Sequence, residues 1–150
     1  MARSASTTTA RVLSIIVIVA GAIMIVAGAV TWFSVQGQLA NEKITVSDDA
    51  ERFAGQPVDG PLTAYTEANV IEKHALDATG GKTYAELGRD DPARQTAMTG
   101  SFLRASLFTS VVAFGVAAMA AGIGVVLILL GVALLSLISA LASPPRSAVS

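Results

Sequence analysis

The sequence has no cysteine and only one histidine among its 150 residues. A chain without cysteine forms no disulfide, so no covalent cross-link braces its loops. A zinc or haem site built from histidine and cysteine needs more ligands than His74 alone can supply. We therefore expect this chain to hold no metal and no cofactor with its own side chains.

Charge is missing from two long stretches, Val12 to Asn41 and Ala105 to Pro145. All 11 acidic residues lie between them, from Glu42 to Asp91. Overall 53% of the residues are hydrophobic and 14% are charged, which is typical of a membrane protein. The formal net charge of −1 lacks the basic excess of nucleic-acid-binding domains, so we expect no nucleic-acid partner.

The first uncharged stretch is long enough to cross a bilayer. Val12 to Phe33 would form a helix of roughly 33 Å at about 1.5 Å per residue, and the hydrocarbon core is about 30 Å thick. Its many Val, Ile, Leu and Phe residues favour insertion, and no charge opposes it. Trp32 and Phe33 end the segment, where an aromatic interface anchor is expected.

The second uncharged stretch predicts another span, at Ser106 to Leu141. We place its membrane core at about Val111 to Leu135, and we attribute the excess length to tilt or to helix that protrudes from the bilayer. A spanning segment must satisfy its backbone polar groups internally, and neither stretch shows the alternating pattern of a barrel strand. The sequence therefore predicts an all-α membrane protein built on a two-helix transmembrane hairpin.

Small residues recur seven apart on both predicted spans, a spacing that keeps them on one helix face. The first span has Gly21 and Gly28. Two glycine pairs share this spacing on the second span, Gly115 with Gly122 and Gly124 with Gly131, and Ala118 precedes Gly122 by four residues in a small-xxx-small pattern. We predict that the Gly21 and Gly28 stripe packs on one of the two stripes of the second span. The alternative is that these residues reflect only the usual glycine content of membrane helices.

The distribution of arginine and lysine predicts the orientation. The predicted tails carry Arg3, Arg11 and Arg146 and no acid, whereas the segment between the spans carries seven basic and eleven acidic residues. Because positive charge near span ends favours the cytoplasm, we expect a plasma-membrane protein with both termini in the cytoplasm. Three basic residues near the span ends on the other side count against this orientation: Lys43, Arg94 and Arg104.

A signal peptide is the alternative interpretation of the first span. Two arginines precede the apolar run, and Ala27-Gly28-Ala29 has the small-x-small form of a cleavage site. The run is longer than the 7 to 15 residues of a signal peptide's apolar region, and it continues to Phe33. Under either interpretation the polar segment lies outside the cytoplasm.

The segment between the spans is predicted to be mainly helical. Gly60-Pro61 is typical of a helix start and Gly80-Gly81 of a helix end, so we expect a helix over about 61–79. Thr83 with Glu86 has the form of a capping box and predicts a short helix over about 84–88. Asp91-Pro92 predicts a third helix that leads into the second span. Arg104, just before the apolar stretch, is a candidate interface anchor that can pair with anionic lipid head groups.

The triplet Gly81-Lys82-Thr83 is the tail of a phosphate-binding loop, but the rest of the motif is missing. The motif needs a glycine five residues before Gly81, and Leu76 stands there, inside a predicted helix instead of after a strand. We therefore expect no nucleotide binding. His74 is interpreted as an exposed helical residue, and the acidic group Asp48, Asp49 and Glu51 as a solvated surface without an EF-hand pattern.

The predicted organisation has five parts. They are a cytoplasmic tail at 1–11, a first transmembrane helix at 12–33, an extracytoplasmic segment at 34–105, a second transmembrane helix at 106–141 and a cytoplasmic tail at 142–150.

Three runs of the polar segment and the second span carry a family resemblance: FAGQPVDGPLTAYTEANVIEKHALDATGGKTYAEL, RDDPARQTAM and SFLRASLFTSVVAFGV. About half of the chain is similar to a family of small two-span membrane proteins of actinobacteria. Members of that family often bear the label aromatic ring-opening dioxygenase, small subunit. The iron site of such an enzyme needs two histidines and a carboxylate, and this chain has only His74. The resemblance implies a topology and no active-site residues.

Three function classes follow from these observations. The first is a non-enzymatic accessory or interaction subunit that binds another membrane or envelope protein or a second copy of itself, within the lipid bilayer. The second is a non-catalytic subunit of an enzyme such as a ring-opening dioxygenase, which the family label implies. The third, a self-assembled pore, is disfavoured because both spans lack ionisable residues.

Overall fold

Three helices make up the regular structure of the protein. A computed structural model describes residues 2–142, with α1 at Ala2–Asn41, α2 at Pro61–Ala78 and α3 at Arg94–Ala142. Within residues 2–142 no strand forms, and a single antiparallel bridge joins Thr45 to Pro57 in the loop before α2. The all-α prediction is confirmed for this part of the chain.

The two long helices have the length and apolar composition needed to cross a membrane. These properties are found in Thr7–Asn41 of α1 and Arg94–Leu141 of α3. In the most apolar 18-residue stretch of each segment, only 17% and 11% respectively is buried within the protein. This distinguishes them from the core helix of a soluble domain, whose apolar side chains are mostly covered.

The chain divides into two compact units. Unit 1 comprises Met1–Val30 and Ala117–Ser150, and unit 2 comprises Thr31–Val116. Each long helix contributes to both units. The predicted C-terminal tail at 142–150, with Arg146, lies outside the described residues except for the helical backbone of residue 142. Most of the predicted N-terminal tail, 2–11, is the first part of α1.

In unit 1, α1 and α3 pack through glycines whose backbones almost touch. A methyl group added to Gly21 would lie 2.5 Å from the Gly124 carbonyl oxygen, and one added to Gly28 would lie 2.6 Å from the Ala117 carbonyl oxygen. A methyl on Gly131 would lie 2.9 Å from the Ser14 carbonyl oxygen. As the residue numbers increase along α1, the residue numbers of their contact partners on α3 decrease, so the two helices are antiparallel.

The buried positions of unit 1 repeat every seven residues on both helices. On α1 they are Ser14, Gly21 and Gly28, and on α3 they are Ala117, Gly124 and Gly131. Because an α-helix has 3.6 residues per turn, a stripe of residues spaced seven apart rotates slowly around the helix axis. A left-handed supercoil keeps the stripes of two helices in contact. Ser14 satisfies its buried hydroxyl by donating to the Ala10 carbonyl at 2.9 Å. We name this contact line the glycine seam.

The structure selects one of the two stripes predicted on the second span. Gly124 and Gly131 lie in the glycine seam. Added methyl groups at Gly115 and Gly122 would meet no described atom within 4 Å, and Ala118 is exposed. These three residues therefore play no packing role within the chain, because a seven-residue register that buries Gly124 turns them away from α1.

Unit 2 has a compact apolar core that joins all three helices and the loop before α2. The fully or nearly buried members are Leu39, Val46, Val58, Ala64, Ala68, Leu107 and Phe114. Trp32 packs edge-on against Phe114, with ring centroids 4.7 Å apart. The predicted interface anchor at Trp32 is thus half-buried, whereas Phe33 is 68% exposed.

Local sequence signals set the ends of α2. Pro61 occupies the first turn, and the Thr63 hydroxyl accepts a hydrogen bond from the Gly60 N–H at 3.2 Å. At the other end Gly80 and Gly81 adopt φ of 66° and 81°, which glycine allows without strain. The Gly81 N–H then donates to the Leu76 carbonyl at 2.7 Å, as in a Schellman motif. These glycines therefore end α2.

Two predicted helix boundaries differ from the structure. The short helix over about 84–88 is absent, and residues 84–86 form a turn in which Glu86 accepts bonds from the N–H and hydroxyl of Thr83 at 2.8 and 2.7 Å. A capping box without a longer helix behind it cannot offset the cost of nucleation. α3 begins at Arg94, two residues after the predicted start, because Asp91 caps the preceding turn by accepting from the Ala93 N–H at 2.9 Å.

Replacing Gly124 with leucine should destabilise the protein, because the added side chain must displace the α1 backbone. We expect a loss of about 1–3 kcal/mol, the usual cost of overpacking. Thermal unfolding in detergent micelles, followed by the emission of the only tryptophan, Trp32, measures the effect. Gly115→Leu is the matched control and should leave the unfolding midpoint unchanged. Equal midpoints for both variants would contradict the glycine seam.

Candidate functional site

The most promising site lies where α2 packs antiparallel on the first part of α3, inside unit 2. Tyr65 contacts Phe108 edge-on at 5.6 Å between centroids, and further along α2 Glu72 pairs with Arg104 at 2.9 Å. At the third contact a methyl group added to Gly100 would lie 2.6 Å from the Ala75 Cβ. A glycine and an alanine at this crossing allow the two helices to approach closely.

Two cavities flank the Ala75–Gly100 crossing. The larger, of about 420 Å³, presents a mainly apolar surface, although its lining includes the polar residues His74 and Thr99 beside Ile71 and Leu103. We name it the apolar groove. The smaller, of about 90 Å³, is bordered by six polar or charged side chains: Glu72, Lys82, Thr83, Tyr84, Ser101 and Arg104. We name it the polar pocket.

Arg104 is the central charge of the polar pocket. Its Nη2 donates to the Glu72 carboxylate at 2.9 Å, and its guanidinium lies 5.1 Å from the centre of the Phe108 ring. Its Nε is buried and has no hydrogen-bond partner among the described residues. The sequence singled out Arg104 as an interface anchor, and the structure adds its two partners, which lie on different elements.

The loop after α2 closes one side of the polar pocket and is fastened to the start of α3. The Arg94 guanidinium lies 4.0 Å above the Tyr84 ring and donates to the Leu87 carbonyl at 2.7 Å. Leu87 itself is 5% exposed. The N–H and hydroxyl of Thr83 hold the pKa of Glu86 below its usual value, which keeps this turn intact at neutral pH. Tyr84 is thereby held at the pocket edge.

His74 lies beside the apolar groove in an exposed cluster of charges. Its Nε2 is 2.9 Å from Asp49 Oδ2, and Lys73 Nζ donates to the same oxygen at 3.2 Å. The contact with His74, and then that with Lys73, lowers the pKa of Asp49 below its usual value of 3.8. The cluster ties the loop before α2 to the middle of the helix.

Glu67 supplies a second, buried tie between that loop and α2. The side chain is 6% exposed, and its carboxylate accepts from the Ser47 N–H at 2.7 Å and from the Ser47 hydroxyl at 3.0 Å. Charge-assisted bonds of this kind are stronger than neutral ones, so they offset part of the cost of burying the acid. Sequence reasoning missed Glu67 because its partner lies 20 residues away and no local pattern marks the pair.

The predicted acidic surface does not form a metal site in the structure. Among the described residues no group of three or more His, Cys, Asp or Glu side chains is arranged to hold a metal ion. Asp49 is engaged by His74 and Lys73 instead. Lys82 and Thr83, from the triplet that resembles a phosphate-binding loop, follow the end of α2 and border the polar pocket.

The chain matches no protein-family profile, and it has no significant match among curated proteins or solved structures.

Acid should release the Asp49 cluster. A pKa lowered in the folded state means that the contact stabilises the fold above the usual carboxyl pKa and that this stabilisation is lost as the pH falls through the folded value. The cluster should therefore stay paired from neutral pH down to about pH 4 and open below it. NMR titration of the Asp49 carboxyl carbon measures this, and His74→Ala should move the midpoint upward. An unchanged midpoint in that variant would rule out His74 as the main cause.

Removing the Glu67 carboxylate should loosen the loop before α2. Glu67→Ala leaves the half-buried Ser47 N–H without its charged acceptor, which costs about 1–3 kcal/mol. Hydrogen exchange of peptides covering residues 44–58 should accelerate in this variant. Glu51→Ala removes an exposed carboxylate from the same loop and should leave exchange unchanged. Similar exchange in the two variants would mean that Glu67 does not hold the loop.

Proposed function

We propose that this chain is an integral protein of the plasma membrane that serves as a non-enzymatic interaction subunit. In this proposal α1 and α3 cross the bilayer as an antiparallel hairpin. Both termini lie in the cytoplasm, and the polar part of unit 2 lies outside it, where it binds a partner protein. The observation that carries the proposal is a pair of close-packed helices, each with a long uncharged stretch whose apolar side chains remain exposed.

The exposed apolar surface supports a bilayer as the surroundings. Ile23 is 63% exposed, Val112 is 63% exposed and Leu129 is 64% exposed, and among the described side chains 26 large hydrophobic ones are exposed, all but Leu62, Tyr65 and Tyr84 on α1 or α3. Covering apolar surface is favourable by about 25 cal/mol per Å², so a surface of this size in water would drive aggregation. Hydrocarbon removes that cost, and the continuous helices satisfy their own backbone groups within it.

The glycine seam favours a retained first span over a cleaved signal peptide. Gly21 precedes the possible cleavage motif Ala27-Gly28-Ala29 and Gly28 lies within it, so cleavage after Ala29 would remove both. Loss of the segment before that point would uncover Gly124 and Gly131 on α3, which now contact the backbone of α1 at Gly21 and Ser14. Helix pairs in lipid associate mainly through such close backbone approach.

The charges at the two ends of the hairpin support the orientation. The tail arginines are accompanied by no acid, whereas the segment from 42 to 104 carries seven basic and eleven acidic residues. Positive charge near the span ends favours the cytoplasmic side.

The apolar groove supports an interaction role for unit 2. It is an open groove with a volume of about 420 Å³, and exposed Leu103 forms part of its lining. The exposed side chains of Leu62 and Tyr65 lie on the same helix pair. Apolar side chains exposed on a polar segment are typical of a binding surface. The enzyme-subunit alternative depends only on the family resemblance, and no contact in the described part of the chain favours it.

The membrane placement can be tested with single cysteines, because the native chain has none. Ala54→Cys in the loop should react with a membrane-impermeant maleimide in intact cells, and Thr8→Cys should react only after permeabilisation. The protein should also resist extraction by alkaline carbonate. Reversed labelling would overturn the orientation, and release by carbonate would overturn the membrane proposal itself.

The interaction role can be tested by photocrosslinking in native membranes. A photoreactive residue at Thr99, in the apolar groove, should give one product of defined mass. The same residue at Asn69, exposed on α2 outside the groove, is the control and should give many-fold less. A product with the mass of two chains would identify self-association. Equal yields at both positions would contradict binding at the groove.

A further inference from the structure

The polar pocket carries an excess of positive charge. Lys82 and Arg104 border it together with a single carboxylate, Glu72. Glu72 is engaged by Arg104, while Lys82 has no ion-pair partner among the side chains of residues 7–141. Together Lys82, Arg104 and Glu72 carry one net positive charge, which a single monoanion would neutralise. The pocket is therefore electrostatically suited to a singly charged anion.

Arg104 also leaves guanidinium donors open to the pocket. Its side chain is 40% exposed, and only its Nη2 is bonded to Glu72. An arginine offers five donors in a planar fork that matches the oxygens of a phosphate. The nearby hydroxyls of Ser101 and Tyr84 can add further bonds. These donors are suited to an oxygen-bearing anion.

A second cavity adjoins the polar pocket and is apolar. It has a volume of about 450 Å³, and it is lined by Met98, Phe102 and Ala105 together with Tyr84 and Ser101, which also border the polar pocket. Phe102 is 75% exposed. We name this cavity the lateral groove. A ligand that occupies both cavities must have an anionic group joined directly to an apolar part.

We propose that the polar pocket and the lateral groove together bind one anionic phospholipid. The phosphodiester lies in the polar pocket against Lys82 and Arg104, and an acyl chain lies along the lateral groove over Phe102. A phosphodiester carries one negative charge, which balances the pocket. This inference rests on the proposed function, since it takes the ligand from the surrounding bilayer.

The position of Arg104 in the chain agrees with this ligand. The uncharged stretch of α3 starts at the next residue, Ala105, so Arg104 stands where a span enters the head-group region. An arginine or lysine side chain at that level can reach the lipid head groups on either side of a membrane. Free inorganic phosphate would fill the polar pocket and leave the lateral groove exposed, so the lipid accounts for more of the observed surface.

The test uses the full chain in detergent micelles, with native mass spectrometry to measure bound lipid. The probes are dioleoyl phosphatidylglycerol, which is anionic, and dioleoyl phosphatidylcholine, which has the same acyl chains and no net charge. We expect one phosphatidylglycerol to bind at least tenfold more tightly than phosphatidylcholine. Lys82→Gln should weaken phosphatidylglycerol binding about fivefold, the effect of one basic residue near an anionic head group.

Two further variants separate the site from general charge. Lys73→Gln removes the same charge from α2 outside both cavities and should leave binding unchanged. Arg104→Lys keeps the charge but removes the planar guanidinium fork, and it should weaken binding about fivefold or more. Trp32 emission should match that of the wild type in every variant. Lys82 is exposed, so its variant gives a clear result even if Arg104→Lys unfolds.

The outcomes are distinguishable. Equal affinity for the two lipids, or equal losses in Lys82→Gln and Lys73→Gln, would overturn the lipid site. Displacement of phosphatidylglycerol by millimolar inorganic phosphate alone would show an anion site that does not need the acyl chain, and it would also overturn the proposal. If the protein resists carbonate extraction but shows no lipid preference, only this inference fails. If carbonate releases it from the membrane, the proposed function fails as well.

Discussion

The close approach of two backbones at Gly21 and Gly124 is the contact on which unit 1 depends. Any side chain larger than hydrogen at Gly124 would meet the Gly21 carbonyl oxygen at 2.5 Å, so the register of the helix pair is fixed by where glycine occurs. Apolar helices have no hydrophobic reason to pair with each other in lipid, where close van der Waals contact replaces that force. The glycine seam gives an otherwise featureless pair of apolar helices one specific partner face.

Unit 2 is held by a different kind of interaction. Its loop before α2 is fastened to the helix by hydrogen bonds from Ser47 to the buried Glu67 and by the exposed pairing of Asp49 with His74. The buried tie should carry most of the stability, because exposed ion pairs contribute little in water. α2 in turn packs on α3 through the small residues Ala75 and Gly100. Small residues thus set helix separation in both units, and in unit 2 polar ties add to them.

The two cavities beside the Ala75–Gly100 crossing follow from that close approach. At the crossing, Ala75 and Gly100 have small or no side chains and border both cavities. The larger side chains on either side of them form the rest of the walls of the apolar groove and the polar pocket. The two cavities differ in chemistry: one is suited to an apolar protein surface, and the other to an anion.

Hydropathy, charge and local caps in the sequence were enough to determine the three main helices, since these signals act within a few residues. Pro61 and Gly80-Gly81 marked the ends of α2, and the absence of charge marked both long helices. Tertiary structure alone decided which glycine stripe of α3 meets α1, because Gly115 and Gly124 have the same local sequence signal. It also decided the Glu67–Ser47 and Arg104–Glu72 pairs and the turn at 84–86. Contacts between distant residues depend on how the helices pack, and no local pattern encodes that.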